Sequence, residues 1–239
     1  MIMKKNVVLL MSLLVVGMLV SSCHYKFEKT VSVKTGLALV EDSVDEYERV
    51  VVEAACDVKL IQSDVSMVKI KCDKSDLGQI RHYVSDGVLY IVADKRKGGS
   101  LLQVRDMGDV DIELYSPDLI GLELKGAGEV EIDELDTDTL TIEMRGAGDV
   151  DLGNIVCDRL DTRLHGAGSI KIESLTTQWA DIELKGVGNV DVGFVNSGNV
   201  KCSLKGVGNV KLRGNVRKLT KSVKGTGNVD VSELRIKEK

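Results

Sequence analysis

The fold of this chain is decided by a pattern whose first clean copy reads Lys125-Gly126-Ala127-Gly128-Glu129-Val130-Glu131-Ile132. The paired glycines of this pattern occur six times, at spacings of 20, 20, 20, 20 and 19 residues. The pairs are Gly126 and Gly128, Gly146 and Gly148, Gly166 and Gly168, Gly186 and Gly188, Gly206 and Gly208, and Gly225 and Gly227. A fixed period of this length is typical of stacked, solenoid-like architectures rather than of independent motifs.

Apolar residues hold fixed places around each glycine pair and alternate with polar residues. Before the first pair they are Ile120, Leu122 and Leu124, and after it they are Val130 and Ile132. A third apolar position closes the repeat at Leu135, Ile155, Leu175, Val195 and Leu234. A spacing of two predicts strands that bury one face, and no segment carries a sustained helical period.

We therefore predict an all-β fold: a right-handed parallel β-helix, or a related β-solenoid, with coils of about 20 residues. Coils stacked at about 4.8 Å would place each apolar column on its own copies and form a continuous core. The glycines would form corners, because a residue without Cβ can adopt a positive φ and lets successive coils approach closely. A set of antiparallel hairpins is the alternative architecture, and the sequence by itself does not fix the handedness of a solenoid.

The first 22 residues have the features of an export signal. Lys4 and Lys5 precede an apolar run that has the length of a signal peptide and is short for a membrane span. Val20-Ser21-Ser22-Cys23 resembles the cleavage box of bacterial lipoproteins, so we expect cleavage before Cys23 and acylation of that cysteine. An ordinary secretory signal is the alternative. His24 stands where aspartate would favour the inner membrane, so we expect the outer membrane, with its periplasmic or surface face left open.

The chain is expected to divide into a signal peptide (1–22), a tether (23–46), an N-terminal β segment (47–118) and the repeat region (119–239). The last two segments are expected to form one domain. The segment Ala54–Leu60 resembles a degenerate copy of the repeat. The pair Asp86-Gly87 is typical of a hairpin turn. The N-terminal segment is therefore predicted to be rich in β-hairpins and continuous with the stack.

Composition argues against several classes of function. The chain has 32 basic and 37 acidic residues, a poor balance for binding nucleic acid. Aromatic residues make up 3% of the chain and Trp179 is its only tryptophan, so platforms for stacking sugar rings are scarce. The three histidines show no catalytic spacing, and the glycine pairs precede strands rather than the helix that a phosphate loop requires. We expect no enzymatic activity, no cofactor and no metal site.

A column of basic residues directly precedes the glycine pairs. Its members, called here the basic column, are Lys125, Arg145, His165, Lys185, Lys205 and Lys224. One interpretation is a stripe that binds an acidic polysaccharide or another anionic polymer. The favoured interpretation is an ordinary solvated charge pattern, neutralised by acids in neighbouring columns such as Glu123, Glu143, Glu183, Glu131 and Asp151.

Four cysteines follow Cys23 in the sequence. A hairpin centred on residue 64 would place Val58 opposite Ile70 and Cys56 opposite Cys72, and we predict a cross-strand disulfide between these two cysteines. Cys157 falls in a loop-like part of its coil and Cys202 in an inward column. Both are expected to be buried free thiols.

Several short motifs follow one another along the chain: Tyr47-Glu48-Arg49-Val50, Ala55-Cys56-Asp57-Val58, Val88-Leu89-Tyr90-Ile91, Pro117-Asp118-Leu119 and the Gly-Ala-Gly-Asp-Val repeats. In this order and spacing they resemble a known family, the head GIN domain, described as a putative auto-transporter adhesin and common among bacterial lipoproteins. The resemblance covers about residues 45 to 235 and implies a β-helix-like fold and an adhesin function. Cys56 departs from it, because an aromatic or another apolar residue is expected there.

Two functional hypotheses of different classes follow. The first is a lipid-anchored envelope protein whose solenoid is an adhesive or structural binding module for a glycan or a protein. The second, by resemblance to toast-rack-like domains of envelope stress systems, is a periplasm-facing sensor or scaffold. A polysaccharide-acting β-helix enzyme is a further and weaker alternative, since outward carboxylates are plentiful but no pair is singled out. Surface exposure would distinguish the first two.

Overall fold

A computed structural model describes residues 29–34, 36–94 and 110–237; the predicted signal peptide, Cys23 and residues 95–109 lie outside it. The described residues form sixteen strands and no helix. The nine strands that precede the long coils are β1 (Thr30–Lys34), β2 (Leu37–Ser43), β3 (Arg49–Val52), β4 (Asp57–Gln62), β5 (Met67–Asp73), β6 (Ile80–Ser85), β7 (Val88–Ala93), β8 (Asp111–Ser116) and β9 (Gly121–Leu124). The others are β10 (Ala127–Met144), β11 (Ala147–Leu164), β12 (Ala167–Leu184), β13 (Val187–Leu204), β14 (Val207–Val223), β15 (Thr226–Asp230) and β16 (Leu234–Ile236). Within this part of the chain, no helical segment has the length and hydrophobicity needed to cross a membrane.

Strands β10 to β14 are successive coils of a parallel β-solenoid. Each pairs with the next in parallel, and the register from β10 to β11 is 20 residues, with Gly128 beside Gly148 and Val130 beside Val150. Because a strand of 18 residues pairs along almost its whole length, each long strand bends around one complete coil. The predicted all-β solenoid with coils of about 20 residues is confirmed.

The burial pattern of β10 divides the coil into three sides. The inward side chains are Val130 and Ile132 on the first side, Leu135 and Thr137 on the second, and Leu140, Ile142 and Met144 on the third. They are spaced by two within a side and by three across the first two corners, where two consecutive residues are exposed. The same columns continue through β11 and β12, so the core is a stack of like side chains rather than an irregular packing.

The third corner is formed by the glycine pairs, and two physical requirements select glycine there. A Cβ on Gly146 would collide with the carbonyl oxygen of Gly126, and a Cβ on Gly166 with that of Gly146. Gly148, the second member of its pair, also has a φ of +145°, which side chains disfavour. The coils therefore approach more closely at this corner than any residue with a side chain would permit.

The solenoid continues at its N-terminal end through strands that are not consecutive in the chain. Strand β4 pairs with the first side of β10, with Val58 beside Val130 and Leu60 beside Ile132. Strand β3 pairs with β9, which lies on the third side of β10. The segment Ala54–Leu60, which resembles a degenerate copy of the repeat, thus forms part of the next rung of the stack. Beyond it, β7 lies beside β3 and β8 beside β4, which makes one more rung.

An antiparallel layer closes this end of the molecule, and its strand order shows that the predicted Cys56–Cys72 disulfide is wrong. Strand β5 pairs with β8, then β2 with β5 and β1 with β2. The hairpin expected between β4 and β5 does not form, because β8 lies between them and pairs with both. Cys56 and Cys72 are therefore not on neighbouring strands, and both are buried free thiols. The physical reason is that β8 continues the inward columns of β4, with Ile112 and Leu114 beside Val58 and Leu60.

A second correction concerns Val195, which was expected in the inward column that begins at Leu135. Phe194 takes that place instead: it pairs with Leu175 and is 2% exposed, whereas Val195 is 45% exposed. The register slips by one residue between Val192 and Phe194 and has returned by Asn199; Asn196, with a positive φ of 48°, lies within this irregular stretch. Cys157, expected in a loop-like region, lies instead in a buried inward column of the second side.

The C-terminal end of the solenoid is only partly covered. Strand β15 pairs with the first side of β14, and β16 pairs with its second side. Within the described residues, no strand pairs with the outer edge of the third side of β14, at Lys218–Val223. Lys221 stands in an inward column at this edge, and an inward charge of that kind disfavours edge-to-edge association.

Candidate binding surface

The third side of the solenoid carries the basic column on its outer face. Beside it, two residues earlier in each coil, runs a second column, called here the 123 column. Its members are Glu123, Glu143, Arg163, Glu183, Ser203 and Ser222. Both columns face outward because they alternate with the buried column that contains Leu124, Met144 and Leu164. The sequence therefore places a row of cations next to a row in which three of the six residues, Glu123, Glu143 and Glu183, are acidic.

In the first coils the cations are neutralised by these acids. The Lys125 ammonium lies 3.2 Å from Glu53 and 3.4 Å from Glu123. The Arg145 guanidinium lies 2.9 Å from Glu143 and 3.3 Å from Glu123. These pairs support the interpretation of this part of the basic column as an ordinary solvated charge pattern.

Further along, one carboxylate serves several cations. Glu183 lies 3.0 Å from the Lys185 ammonium and 2.5 Å from that of Lys205, and His165 stands 4.0 Å away. Burial acts to raise the pKa of Glu183, but the hydrogen bonds from Lys205 and Lys185 outweigh it and hold that pKa below its usual value. A single negative charge between two ammonium groups leaves this part of the surface positive.

After Glu183 the 123 column contains no further acid. Ser203 and Ser222 occupy its last two places. Lys224 of the basic column and Lys218 at the other margin of the third side are exposed, and neither ammonium makes an ion pair with a described residue. Lys201, between these margins, is exposed and paired with Asp181 at 2.7 Å. Along the basic column the supply of carboxylates therefore declines: Lys125 and Arg145 each contact two, Lys185 and Lys205 share Glu183, and Lys224 pairs with none of the described residues.

The change from glutamate to serine opens a groove of about 490 Å³ on the third side. Six of the residues that line it are Arg163, Asp181, Lys201, Ser203, Lys205 and Ser222. A shallower groove follows the glycine corner and is lined by Lys185, Lys205 and Lys224 on the other flank of the basic column. Trp179 lies on the outer face of the same side, 38% exposed, one rung from Asn199.

Charge is unevenly distributed along the solenoid axis. Residues 110–164 contain 15 acidic and four basic side chains, whereas residues 185–237 contain 11 basic and three acidic ones. The modest overall charge of the chain therefore conceals an acidic half and a basic half. Sequence reasoning on total composition missed this polarity, although counting charges coil by coil would have found it.

The column that follows the glycine pairs has a structural role. Asp149 accepts hydrogen bonds from the Ser169 backbone at 3.0 Å and from its hydroxyl at 2.5 Å. Two coils later the Asn209 amide donates to Asn189 at 3.4 Å. These contacts support the corner backbone, and the described residues contain no group of three or more ligands placed to hold a metal ion.

A second groove, of about 390 Å³, lies at the N-terminal end beneath β1 and β2. It is lined by apolar side chains and by the charged or titratable residues Lys29, Asp42, Asp76, Arg81 and His82. The Nε2 of His82 is 3.0 Å from Asp42. Burial lowers the pKa of His82, and the hydrogen bond to Asp42 opposes this only in part. The cysteines are equally enclosed: burial raises the pKa of Cys56 and of Cys202 to about 12, which makes reactive thiolates scarce.

Comparison with known proteins agrees with this architecture. A crystal structure of a putative adhesin from Bacteroides fragilis NCTC 9343 is 24% identical over 82% of this chain and 97% of its own, with a TM-score of 0.68. A putative adhesin from Parabacteroides merdae ATCC 43184 is 16% identical over 82% of this chain and 97% of its own, with a TM-score of 0.50. At these identities the likeness establishes the fold alone.

Among proteins of curated function, none matches the chain. A family model described as "Putative auto-transporter adhesin, head GIN domain" matches residues 46–233, and this confirms the resemblance drawn from the sequence. The match covers both the N-terminal rungs and the glycine-cornered coils. The chain therefore belongs to the head GIN domain family.

Proposed function

We propose that this chain is a lipid-anchored, non-catalytic binding module of the cell envelope. The family description supports an adhesin-like role. The lipoprotein-like sequence Val20-Ser21-Ser22-Cys23 supports export and acylation at Cys23, with the outer membrane as the destination. In this proposal the solenoid is a rigid spacer and a display surface.

One observation carries the proposal: the chain enters the fold at one end of the sheet and the repeats end at the other. The strand order runs from β1 to β15 through ten neighbouring pairs. At about 4.8 Å per pair, the two ends are about 50 Å apart. Strand β1 begins only seven residues after Cys23. An anchor at Cys23 would therefore hold the hairpin layer near the membrane and present the C-terminal coils away from it.

The local chemistry supports a binding role rather than a catalytic one. The carboxylates of the third side are engaged by cations, as Glu143 is by Arg145 at 2.9 Å, rather than held apart as an acid and a base. His165 contacts Glu143 at 3.5 Å, and no described serine or cysteine makes a hydrogen bond to its ring. The four described cysteines are buried.

The first test measures whether Cys23 is acylated and anchors the protein to the membrane. Cells that produce the native chain or a Cys23→Ser variant are fractionated, and acylation is measured by mass spectrometry. We expect the native protein to be acylated and in the outer-membrane fraction and the variant to be released from it. An unmodified native Cys23 would contradict the anchor.

Protease treatment of intact cells then separates the two hypotheses. An adhesin must be cut in intact cells while a periplasmic lipoprotein survives, with lysed cells as the control for intrinsic protease resistance. Protection until the outer membrane is opened would contradict the adhesin role and favour the periplasm-facing sensor or scaffold.

A further inference from the structure

We propose that the C-terminal part of the third side binds a linear acidic polysaccharide. The surface, called here the basic tip, consists of Lys185, Lys201, Lys205, Lys218 and Lys224 around the groove at Ser203 and Ser222. The inference deepens the proposed function by naming a ligand class. It selects the three members of the basic column that share one carboxylate, Glu183, or have none, and adds Lys201 and Lys218 from the same side.

The first argument is unbalanced charge. Five ammonium groups share this surface with two carboxylates, those of Asp181 and Glu183. Further cations surround it, because residues 185–237 carry 11 basic and three acidic side chains. A surface with such an excess attracts anions over distances of about 10 Å at moderate ionic strength.

The second argument is the spacing of the cations. Lys185, Lys205 and Lys224 occupy successive rungs of one column, about 4.8 Å apart at the backbone. Lys201 and Lys205 lie on one rung, separated along the strand by about 13 Å. A single small anion would engage only one or two of these groups. A chain that carries a negative charge on successive units would engage all of them.

The third argument concerns the uncharged groups. Three hydroxyl-bearing residues, Ser203, Ser222 and Thr220, line the groove between the cations. Ser222 and Thr220 are exposed and can exchange hydrogen bonds with sugar hydroxyls, whereas Ser203 is 9% exposed and contributes mainly the absence of a carboxylate. Trp179 stands at the margin of the same side and offers one aromatic face, which is enough for one sugar ring. Single-stranded nucleic acid is held by several stacking residues along a groove, and Trp179 is the only tryptophan of the chain.

The fourth argument is location. The basic tip lies on the last coils of the sheet, at the end opposite the strand by which the chain enters and about 35 to 45 Å from it. Anionic lipid of the membrane that carries the proposed anchor would be at the wrong end of the molecule. A polymer that extends from a separate surface can reach the tip.

The test measures binding of the full chain, purified in a nonionic detergent, to immobilised polygalacturonate, with dextran as the neutral polymer. We expect binding to polygalacturonate that weakens as salt is raised, and none to dextran. Equal binding to dextran, or no binding to polygalacturonate, would overturn the proposal.

A matched pair of variants tests the groove itself. Ser203→Glu continues the 123 column with an acid, as Glu183 does in the preceding coil, and Ser203→Gln adds the same bulk without the charge. We expect Ser203→Glu to reduce affinity by about tenfold and Ser203→Gln by less than about threefold. Similar losses for the two variants would show that bulk rather than charge matters and would contradict the proposal.

Two further variants control for position. Lys218→Gln combined with Lys224→Gln removes two unpaired cations of the tip and should weaken binding. Lys59→Gln removes a cation on the first side that is paired with Asp133 at 2.7 Å, and it should leave binding unchanged. Thermal unfolding of each variant checks that the fold is retained.

Competition identifies the class of polyanion. Soluble polygalacturonate should release the protein from the immobilised polymer at a lower concentration than single-stranded DNA or mixed micelles containing phosphatidylglycerol do. Equal or stronger competition by DNA or by the micelles would reject a polysaccharide ligand. These measurements use purified protein, so they do not depend on anchoring or exposure in the cell. A negative binding result would leave the tests of anchoring and exposure unaffected, and a negative result in either of those tests would leave the measured affinity valid.

Discussion

The regular coils and the N-terminal rungs reach the same geometry by different chain paths. In the coils, the residue beside Val130 in the next rung is Val150, 20 positions later. On its other side Val130 pairs with Val58, and Val58 in turn pairs with Ile112. Side chains that are distant in sequence therefore fill the same inward column. A rung requires apolar residues in register and a corner that fits, and it does not require that the chain run directly from one rung to the next.

The corner is where the two regions differ most. Every coil from Gly126 onward has glycine at the first corner position, and a Cβ at Gly126 would collide with the carbonyl oxygen of Ala54. Ala54 occupies the corresponding position in the N-terminal rung, where the structure accommodates its methyl group in a buried site. The strict glycine requirement therefore begins with the second rung to use this corner.

The largest expected effect comes from breaking this corner in the regular coils. Gly166→Ala would drive a Cβ into the Gly146 carbonyl oxygen, which neither backbone can avoid without losing ladder hydrogen bonds. We expect the free energy of unfolding to fall by about 3 kcal/mol or more, measured by chemical denaturation.

Two variants serve as controls for this prediction. Ala167→Val places valine where the next coil has Val187, which is 59% exposed, so the change should stay within about 0.5 kcal/mol. Ala54→Gly, at the permissive corner of the N-terminal rung, should cost about 1 kcal/mol. Equal losses in all three variants would refute the account of the corner.

The next effect belongs to the N-terminal rungs. The buried Tyr47 hydroxyl donates a 2.7 Å hydrogen bond to the Tyr115 carbonyl oxygen and joins segments 68 residues apart. Tyr47→Phe removes the donor and should lower the free energy of unfolding by about 1.5 kcal/mol. Tyr83→Phe, at an exposed ring stacked on Tyr90, should have almost no effect in the same denaturation experiment. A neutral Tyr47→Phe variant would show that this bond does not secure the rungs.

A stabilising change is expected inside the regular coils. Thr162 is fully buried in an apolar column, and its hydroxyl has no hydrogen-bond partner among the described residues. Thr162→Val keeps the shape and removes the unsatisfied group, so the free energy of unfolding should rise by about 1 kcal/mol.

The comparison for that change is Thr177 on the second side. Its hydroxyl oxygen lies 3.1 Å from the carbonyl oxygens of both Asp158 and Trp179, so its single O–H has an acceptor in either direction. Thr177→Val should therefore lower the free energy of unfolding by about 1 to 2 kcal/mol in the same denaturation series. Effects of the same sign in the two variants would contradict this reading of the buried hydroxyls.

The smallest effect is a pH dependence confined to the N-terminal layer. Burial lowers the pKa of His82 in the folded state below its ordinary value of 6.5, against the opposing carboxylate of Asp42 and with Lys29 nearby. The unfolded chain therefore takes up the proton more readily, and stability should decline as the pH falls below about 6.5. His82→Gln should reduce this decline in unfolding experiments between pH 7.5 and pH 5, chosen to span an ordinary histidine pKa of about 6.5. An unchanged slope would assign the pH dependence to other groups.

Sequence reasoning was accurate where the chain repeats itself and failed where it does not. The glycine spacing and the alternation around Val130 and Ile132 identified the coils and their inward columns. The one-residue error at Val195 arose because the register slips by one residue between Val192 and Phe194, an irregularity that the regular spacing of the other coils does not reveal. The disulfide prediction failed because nearness in sequence suggested a hairpin between β4 and β5, while β8 from a later segment takes the place between them.

The candidate surface shows the same division. The sequence revealed the basic column as a set of six, and it also contained the acids that could neutralise them. Which cations meet which carboxylates depends on the stacking of columns in space. Only the structure shows Glu183 shared by Lys185 and Lys205 and the acids giving way to Ser203 and Ser222 around a groove.

The sequence by itself determined the period, the strand faces, the glycine corners and the family, because each depends on local alternation or on a fixed spacing along the chain. The tertiary structure alone decided how strands β3, β4, β7 and β8 are inserted into the stack and where the surface charge is left unbalanced. These features depend on contacts between residues far apart in the chain. Such contacts form when apolar columns and unpaired strand edges find a partner, and no local pattern specifies which segment that partner will be.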